Sequence, residues 1–516
     1  MSLQATIIND LCMNLLENIL ARLPAVDFAS ADCVNHLWHL VCARILSRPK
    51  LSSACSFSYN PQVAAKDVVR KVLSEPIRPQ FAIASVDPWY YHHRLEAHKL
   101  ISAKLGSKVP VITILSKTNM GRDAIFNESE EDMEKKGIML TVGFLPGMKV
   151  KQISLLQKEI LSFNQQAFRI DKFLKDIRKF STSISGCRSP AAIMIFSRNP
   201  EGLIAVMRKV DHAMSPETVI VGAYGCGFQH TDGYLGNKIS TEKHVTAYAL
   251  VFATENNKGH GIGEIKFHAV LSSGLQPFGP VYAASVKKRY SFYTGLTARI
   301  EGSRENLSGG TLLSQAYVEL GGGPRHLYIG VTKRRKFSIG REKVRWITSV
   351  AFHEVEKINY GWLIVNDTDM DIRTGDTFRF YCHDPTTGNI SNHLRSFKQG
   401  STTHNDEWEV FGGLIFTSFG RGKSFDNSLF MDNFPGVTRG CTFYGRVFGR
   451  GDLTPCVDNS PFLDNFPRLT CGGTFCGWLF GCGEKTSYVS KSQERKWVRH
   501  CVHEYEALYL IMSYIP

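Results

Sequence analysis

Residues Leu11 to Trp38 read LCMNLLENILARLPAVDFASADCVNHLW, and the spacing of the apolar residues in this stretch fixes the first structural expectation. Leu11, Leu15, Leu16, Ile19, Leu20 and Leu23 recur on one stripe of a helix, and Pro24 stops it. Asp27 is expected to cap a second helix carrying Phe28, Ala31 and Val34. Leu37 and Trp38 open a third apolar run through Val41 and Ile45. Three short helices in about 40 residues do not bury that much apolar surface among themselves. The segment 1–50 is therefore expected to need a partner.

The order of Leu15-Leu16, Ile19-Leu20, Leu23-Pro24, acidic Asp27, Phe28 and the isolated Trp38 resembles the F-box. Leu11-Cys12 stands where that family usually opens with Leu-Pro, and Asn35, His36 and Leu37 stand where a Cys-Arg or Cys-Lys pair often precedes the Trp. The resemblance implies that Leu11, Leu15, Leu16, Ile19, Leu20, Leu23, Pro24, Val34 and Trp38 meet a Skp adaptor, itself bound to a cullin scaffold. The competing reading is the first core helix of an ordinary domain. The terminal position, the three-helix punctuation and the lone Trp argue against it.

The chain has 516 residues, enough for two to four domains, with 43% apolar and 21% charged residues, a globular balance. No apolar run approaches the roughly 20 residues of a membrane span. The first 25 residues are amphipathic, unlike the continuous apolar core of a signal peptide. Thirteen cysteines without an export signal read as reduced thiols, which points to the cytoplasm, the nucleus or both. The net charge of +14 is spread along the chain, so nucleic acid binding is not expected from it. The one dense cluster, Lys333 to Lys336 with Arg341, Lys343 and Arg345, reads as a solvated loop between strands or as a nuclear-localisation patch.

Beyond the helices, 51–80 reads as a linker with a joining helix from Val63 to Leu73, because Pro49 to Pro61 is Ser-rich and aperiodic. Val109 to Leu115, Ile138 to Leu145, Ala191 to Phe196 and Thr218 to Ala223 are predicted buried strands, separated by helical spacing such as Leu203, Ile204, Met207, Val210 and Met214. Glu128 to Lys136 reads as a charged surface loop. Val245 to Phe252 is apolar on both faces, so both are expected to be covered. His326 to Val331, Ile347 to Phe352, Phe378 to Cys382 and Glu409 to Phe416 are further strands, with a turn at Asp384 to Gly388. The expected architecture is a small all-α unit followed by a large mixed α/β region in two sheet-containing halves, 81–275 and 276–484. Within the second half, Asp426 to Asp452 and Asp458 to Glu484 repeat at an offset of 32 (458 minus 426), too few copies for a solenoid. The tail 485–516 ends in an amphipathic stretch, Trp497 to Ile515, read as a docking helix.

GDTFRFYCHDPTTG (Gly375 to Gly388), FGGLIFTSFGRG (Phe411 to Gly422) and TVIVGAYGCGF (Thr218 to Phe228) resemble the FIST domain, the module named for F-box and intracellular signal transduction proteins. With the N-terminal motif, the resemblance implies the substrate receptor of a Skp-cullin-F-box ubiquitin ligase, in which the FIST region holds a protein target or a small amino-acid-like ligand.

No motif for catalysis, a metal or a cofactor stands out. Gly422-Lys423-Ser424 copies the tail of a phosphate loop, but Thr417 occupies the position of the first glycine. Cys471, Cys476 and Cys482 lack the two-residue gap of a zinc knuckle. Cys382 and His383 are adjacent, so on a strand they face opposite sides. The glycine-rich strand ends with Tyr224, Gly225 and Gly227, and with Ser418, Gly420, Arg421 and Gly422, would let backbone N–H groups approach a carboxylate that Arg421 could pair. Tight turns explain the same glycines. Two functions follow as expectations: a noncatalytic receptor for a protein target, or a sensor of a small amino compound.

Overall fold

The computed structural model describes residues 13–516 except 116–136, 157–162, 198–205, 207–208, 211–212, 216, 225–227, 232–244, 260, 273–274, 290–292, 323–326, 338–344, 368–371, 384–407, 418–437, 445, 451–502 and 506. Three helices lead the described chain: α1, Met13–Leu20; α2, Ala25–Ala31; and α3, His36–Ile45. Pro24 is the N-cap of α2, and Asp27 lies within its first turn, so it favours the helix through the dipole and not as the cap expected. Asn35 caps α3, its side chain accepting from the Trp38 N–H at 2.9 Å.

The segment expected to be a linker is instead the start of a sheet. Strand β1 (Lys50–Ser56) pairs along its whole length with a later strand, and α4 (Pro61–Val72) packs beneath it. The serines that suggested a linker are buried and satisfied: Ser52 Oγ donates to the Val72 carbonyl (3.1 Å), and Ser53 and Thr141 share a hydrogen bond across strands (3.0 Å). The unit continues with β2 (Phe81–Val86), α5 (Arg94–Leu105), β3 (Val111–Leu115) and β4 (Ile138–Phe144).

The following stretch repeats this topology. It runs through β5 (Met148–Leu156), α6 (Phe163–Ser185), β6 (Ala192–Ser197), a helical segment including Val206 and Val210, β7 (Val219–Tyr224), β8 (Phe228–Thr231) and β9 (Val245–Thr254). The first sheet has the order β1-β4-β2-β3-β8, and the second contains β5-β9-β6-β7. In each unit the outer pair is antiparallel (β1 with β4, β5 with β9). The next pair is also antiparallel (β4 with β2, β9 with β6), and the last is parallel (β2 with β3, β6 with β7). The parallel pairs are the ones joined through a helix, as a parallel crossover requires. β8 leaves the second unit and pairs with β3 of the first, tying the two together.

Among the described residues, helices cover only the outer face of each unit. Val68, Val69 and Ile101 of α4 and α5 sit on one sheet, and Ile170, Leu174 and Ile177 of α6 on the other. The inner faces share one core with a third sheet, whose strands come from both ends of the following sequence. Phe81 meets Phe252 edge-on at 5.3 Å, and Phe252 meets Phe267 at 5.3 Å, one ring from each sheet. Gly143 lies against the Phe81 ring, where a Cβ would collide.

The chain then runs through β10 (Glu264–Ser272), β11 (Leu275–Arg289), β12 (Tyr293–Ile300), α7 (Gly309–Glu319), β13 (Leu327–Phe337), β14 (Arg345–Asn359), β15 (Trp362–Asn366) and β16 (Thr377–His383). β11 to β16 close into a six-stranded antiparallel barrel with Leu296, Ile329, Leu363 and Phe380 inside, and α7 adds Leu312 and Ala316 to that core. Lys333 to Lys336, expected in a loop, lie in β13, paired with Ser349 to Trp346 of β14, and Lys333 is 2% exposed.

The last strands are β17 (Glu409–Thr417), β18 (Thr438–Tyr444), β19 (Arg446–Arg450), β20 (His503–Tyr505) and β21 (Ala507–Ile515). The C-terminal stretch read as a helix is therefore a strand, and β21 lies between β10 and β17 in the third sheet. Of the sequence repeat, the first copy supplies β18, parallel to β17, and β19, which joins the second sheet beside β7. The second copy, the Glu128 to Lys136 segment, the Asp384 to Gly388 turn and the Gly422 to Ser424 tail lie outside the described residues.

Two local features carry predictions. His268 Nε2 lies 2.9 Å from Ser513 Oγ, joining β10 to β21, and its ring stacks at 5.8 Å from Trp408. Burial, and secondly the Lys266 ammonium, push this imidazole down from 6.5 to about 4. Below pH 6.5 the unfolded chain binds a proton that the folded chain refuses, so stability is full above that value and falls as pH drops toward 4. Urea unfolding is expected to show about 2 kcal/mol less stability at pH 5 than at pH 7 from this group. His268→Gln should remove that difference.

The second feature is Tyr360, which with Gly361 forms the two-residue turn between β14 and β15 at φ 49°, a left-handed value that costs a tyrosine and suits asparagine. Tyr360→Asn is expected to stabilise the chain by about 1 kcal/mol in thermal or urea unfolding.

Candidate functional site

Within the three-helix unit, the helical stripe divides into two faces. Leu16 and Leu20, one turn apart on α1, are buried with Phe28, Ala31, Val41 and Cys42 in a small separate core. Leu15 and Ile19, rotated by one residue, are 52% and 45% exposed, and Val34 is 57% exposed. Met13, Val26 and Leu40, which the sequence reading passed over, are exposed as well. Their signal was present as apolar residues off the main stripe. Leu23 is half-buried, Pro24 is exposed, and Trp38 is half-buried with its indole N–H enclosed and without a hydrogen-bond partner. Leu11 lies outside the described residues.

So Leu16 and Leu20 hold the unit together and are not available to a partner, whereas Leu15, Ile19 and Val34 are. Six large apolar side chains of this unit, five on its helices and Val34 in the α2–α3 loop, are exposed, more than scattered surface residues of a self-sufficient unit would require. An ion pair between Arg44 and Glu17 links α3 to α1, and His39 Nδ1 lies 3.0 Å from Asp32. Burial, then the Asp32 charge, raise the Cys42 thiol to about 11, which keeps it protonated and inert.

This unit is clamped to the body and does not hang from a linker. The Ala25 N–H donates to the Leu73 carbonyl at 2.9 Å, and Ala25 and Leu46 pack against the cluster around α4 and α5. Tyr514 near the C-terminus donates to the Ser47 carbonyl at 3.4 Å and accepts from the Gly263 N–H at 3.0 Å. Between α2 and the body runs an open groove of about 670 Å³, walled by Ala25, Val26, Ala29, Leu73 and Ile77. The orientation of the exposed apolar face relative to the sheets is thus set by packing.

Tyr224 is the last residue of β7, whose partner at that point is Arg446 of β19. Gly225, Gly227, Ser418, Gly420, Arg421 and Gly422 lie outside the described residues. Cys382 is buried in the barrel wall. Among the described residues no group of His, Cys, Asp and Glu side chains is arranged to hold a metal ion. No described helix is long and apolar enough to cross a membrane.

No family model matches the chain. An F-box/LRR-repeat protein of Arabidopsis thaliana is 36% identical to it over 473 residues, covering 85% of this chain and 87% of the relative.

Proposed function

The chain belongs to the F-box protein family of this plant relative, and from that premise we propose that it is the substrate-recognition subunit of a Skp-cullin-F-box ubiquitin ligase. The observation that carries the reading is the split of the α1 stripe. One half, Leu16 and Leu20, joins a core of six buried side chains, and the other half, Leu15 and Ile19, is left exposed on a unit already braced against the body, as is Val34 in the α2–α3 loop. Docking of the Skp adaptor would bury that face. The body, which resembles the FIST domain in sequence, then holds the target at a fixed distance and orientation from the adaptor. Such a receptor raises the effective concentration of target lysines near a charged conjugating enzyme and needs no nucleophile of its own.

The described strands form barrel and mixed sheets with mostly antiparallel pairs, so the recognition surface proposed is sheet-built and not a stacked leucine-rich solenoid. The test is reconstitution: purified full-length chain mixed with recombinant Skp adaptor should elute as a single complex at micromolar concentration. Separate elution at tens of micromolar would overturn the reading.

A further inference from the structure

We propose that the groove between α2 and the body is a docking site for an acidic segment of a target protein that carries large apolar side chains. The inference rests on the receptor reading and deepens it by naming where, and by what chemistry, the target is held.

The groove is preformed. Ala25, Val26, Ala29 and Cys33 of the α2 side line it, while Phe28 and Ala31, on the opposite face of that helix, fill the core of the N-terminal unit. Leu73, Ile77 and Leu105 of the body make the other wall. The hydrogen bond from Ala25 to Leu73 joins the two walls, so a ligand meets them already spaced. The α2 wall keeps its polar groups to itself: the Ser30 hydroxyl donates to the Val26 carbonyl at 3.2 Å, and the Cys33 thiol to the Ala29 carbonyl at 3.6 Å. What the helix offers is therefore apolar, and Val26, 71% exposed, is the largest apolar side chain on that wall. At about 670 Å³ the groove is of the size that takes a drug-sized ligand or a few side chains.

The body side supplies positive charge. Lys104 lines the groove, and Arg78 lies between Ile77 and Pro79, which both line it. Both cations are exposed, and among the described residues neither is held in an ion pair. Among the described residues that line the groove, none is acidic or aromatic. The carboxylates nearest in sequence are turned away or taken. Asp27 leaves α2 about 160° round the helix from Ala25 and Ala29, Asp32 lies 3.0 Å from His39 Nδ1, and Glu75 is bound by Lys50 at 2.5 Å. An apolar groove beside two free cations suits an acidic segment, whose carboxylates the cations attract while its large side chains fill the space. A second copy of this chain, with its net charge of +14, would bring more positive charge to the same lip. A single-stranded nucleic acid would need aromatic stacking partners, which this lining lacks.

The probe is a fluorescently labelled glutamate–tyrosine copolymer, measured by anisotropy against the full-length chain at physiological ionic strength. Binding is expected to weaken at least about tenfold in Arg78→Glu with Lys104→Glu, and by as much in Val26→Asp, whose carboxylate suits the first turn of α2. Lys172→Glu with Lys175→Glu, the same charge change on exposed α6 residues, should bind as wild type does. Polyglutamate, which lacks the apolar side chain, should bind wild type at least about tenfold more weakly. No binding by wild type, undiminished binding by the groove variants, an equal loss in the α6 control, equal binding of polyglutamate, or tighter binding of poly(U) RNA would each overturn the proposal. So would a wild-type dimer in sedimentation that Val26→Asp disperses, since a second copy would then fill the groove. Adaptor binding reads the receptor function separately. The Arg78→Glu, Lys104→Glu chain should keep it, and its loss there would give the groove to the adaptor and overturn the proposal. A wild-type chain that binds the copolymer in the groove without any adaptor binding would sink the receptor reading alone.

Discussion

Replacing Leu15 and Ile19 by aspartate is expected to abolish recovery of the Skp adaptor with the full-length chain while leaving the melting curve almost unchanged. Each side chain is about half exposed, so removing it costs the folded chain little. On docking, each would lose its remaining exposure, and a fully buried residue of this type contributes roughly 1.5–3 kcal/mol. Two of them give an upper bound of about 3–6 kcal/mol, or roughly 10² to 10⁴ in affinity, before the cost of burying two carboxylates is added. The same change at Leu16 and Leu20 would not be diagnostic. Those residues are 1% and 0% exposed in the core of the unit, and charges there would unfold α1 to α3 and lose the adaptor indirectly. Undiminished adaptor recovery by the Leu15→Asp, Ile19→Asp chain would remove this face from the interface.

A chain ending at Tyr505 is expected not to fold. Leu508, Tyr509, Leu510, Ile511, Met512 and Tyr514 of β21 are all at most 2% exposed, and six such side chains represent about 9–18 kcal/mol of burial. That is comparable to the whole stability of an ordinary domain, roughly 5–15 kcal/mol. The strand is also internal to its sheet, so its loss leaves β10 and β17 each with an unpaired edge. Loss of Tyr514 further removes the link to Ser47 that braces the N-terminal helices. Soluble yield and gel filtration are the measurements. A monomeric truncated chain with a cooperative melt within a few degrees of the full chain would refute the placement of β21 in the core.

Because the N-terminal unit is tied to the body through Ala25, Leu46 and Ser47, fragments cut at residue 50 or 80 would damage β1 and α4. Point substitutions on the exposed α1 face in the full-length chain test adaptor docking without that damage.

The sequence by itself determined the elements with strong local signals. Pro24 and the Leu spacing marked the helices, and β-branched or two-faced apolar runs marked β3, β4, β6, β7 and β9, since those patterns are set by residues close in the chain. Local spacing could not say which side of the α1 stripe faces inward, because Leu15 and Leu16 are equally apolar, and only the packing of Phe28 and Val41 selects Leu16. It misread the Ser-rich β1, whose hydroxyls are satisfied by Val72 and Thr141, residues 20 and 88 positions away. It misread β21 as well, because the apolar residues of the amphipathic stretch Trp497 to Ile515 fit a helix locally, and only pairing with β10 and β17 shows a strand. The duplicated order of the two α/β units was decided by tertiary structure alone: it depends on pairings between strands far apart in sequence, which no local pattern encodes.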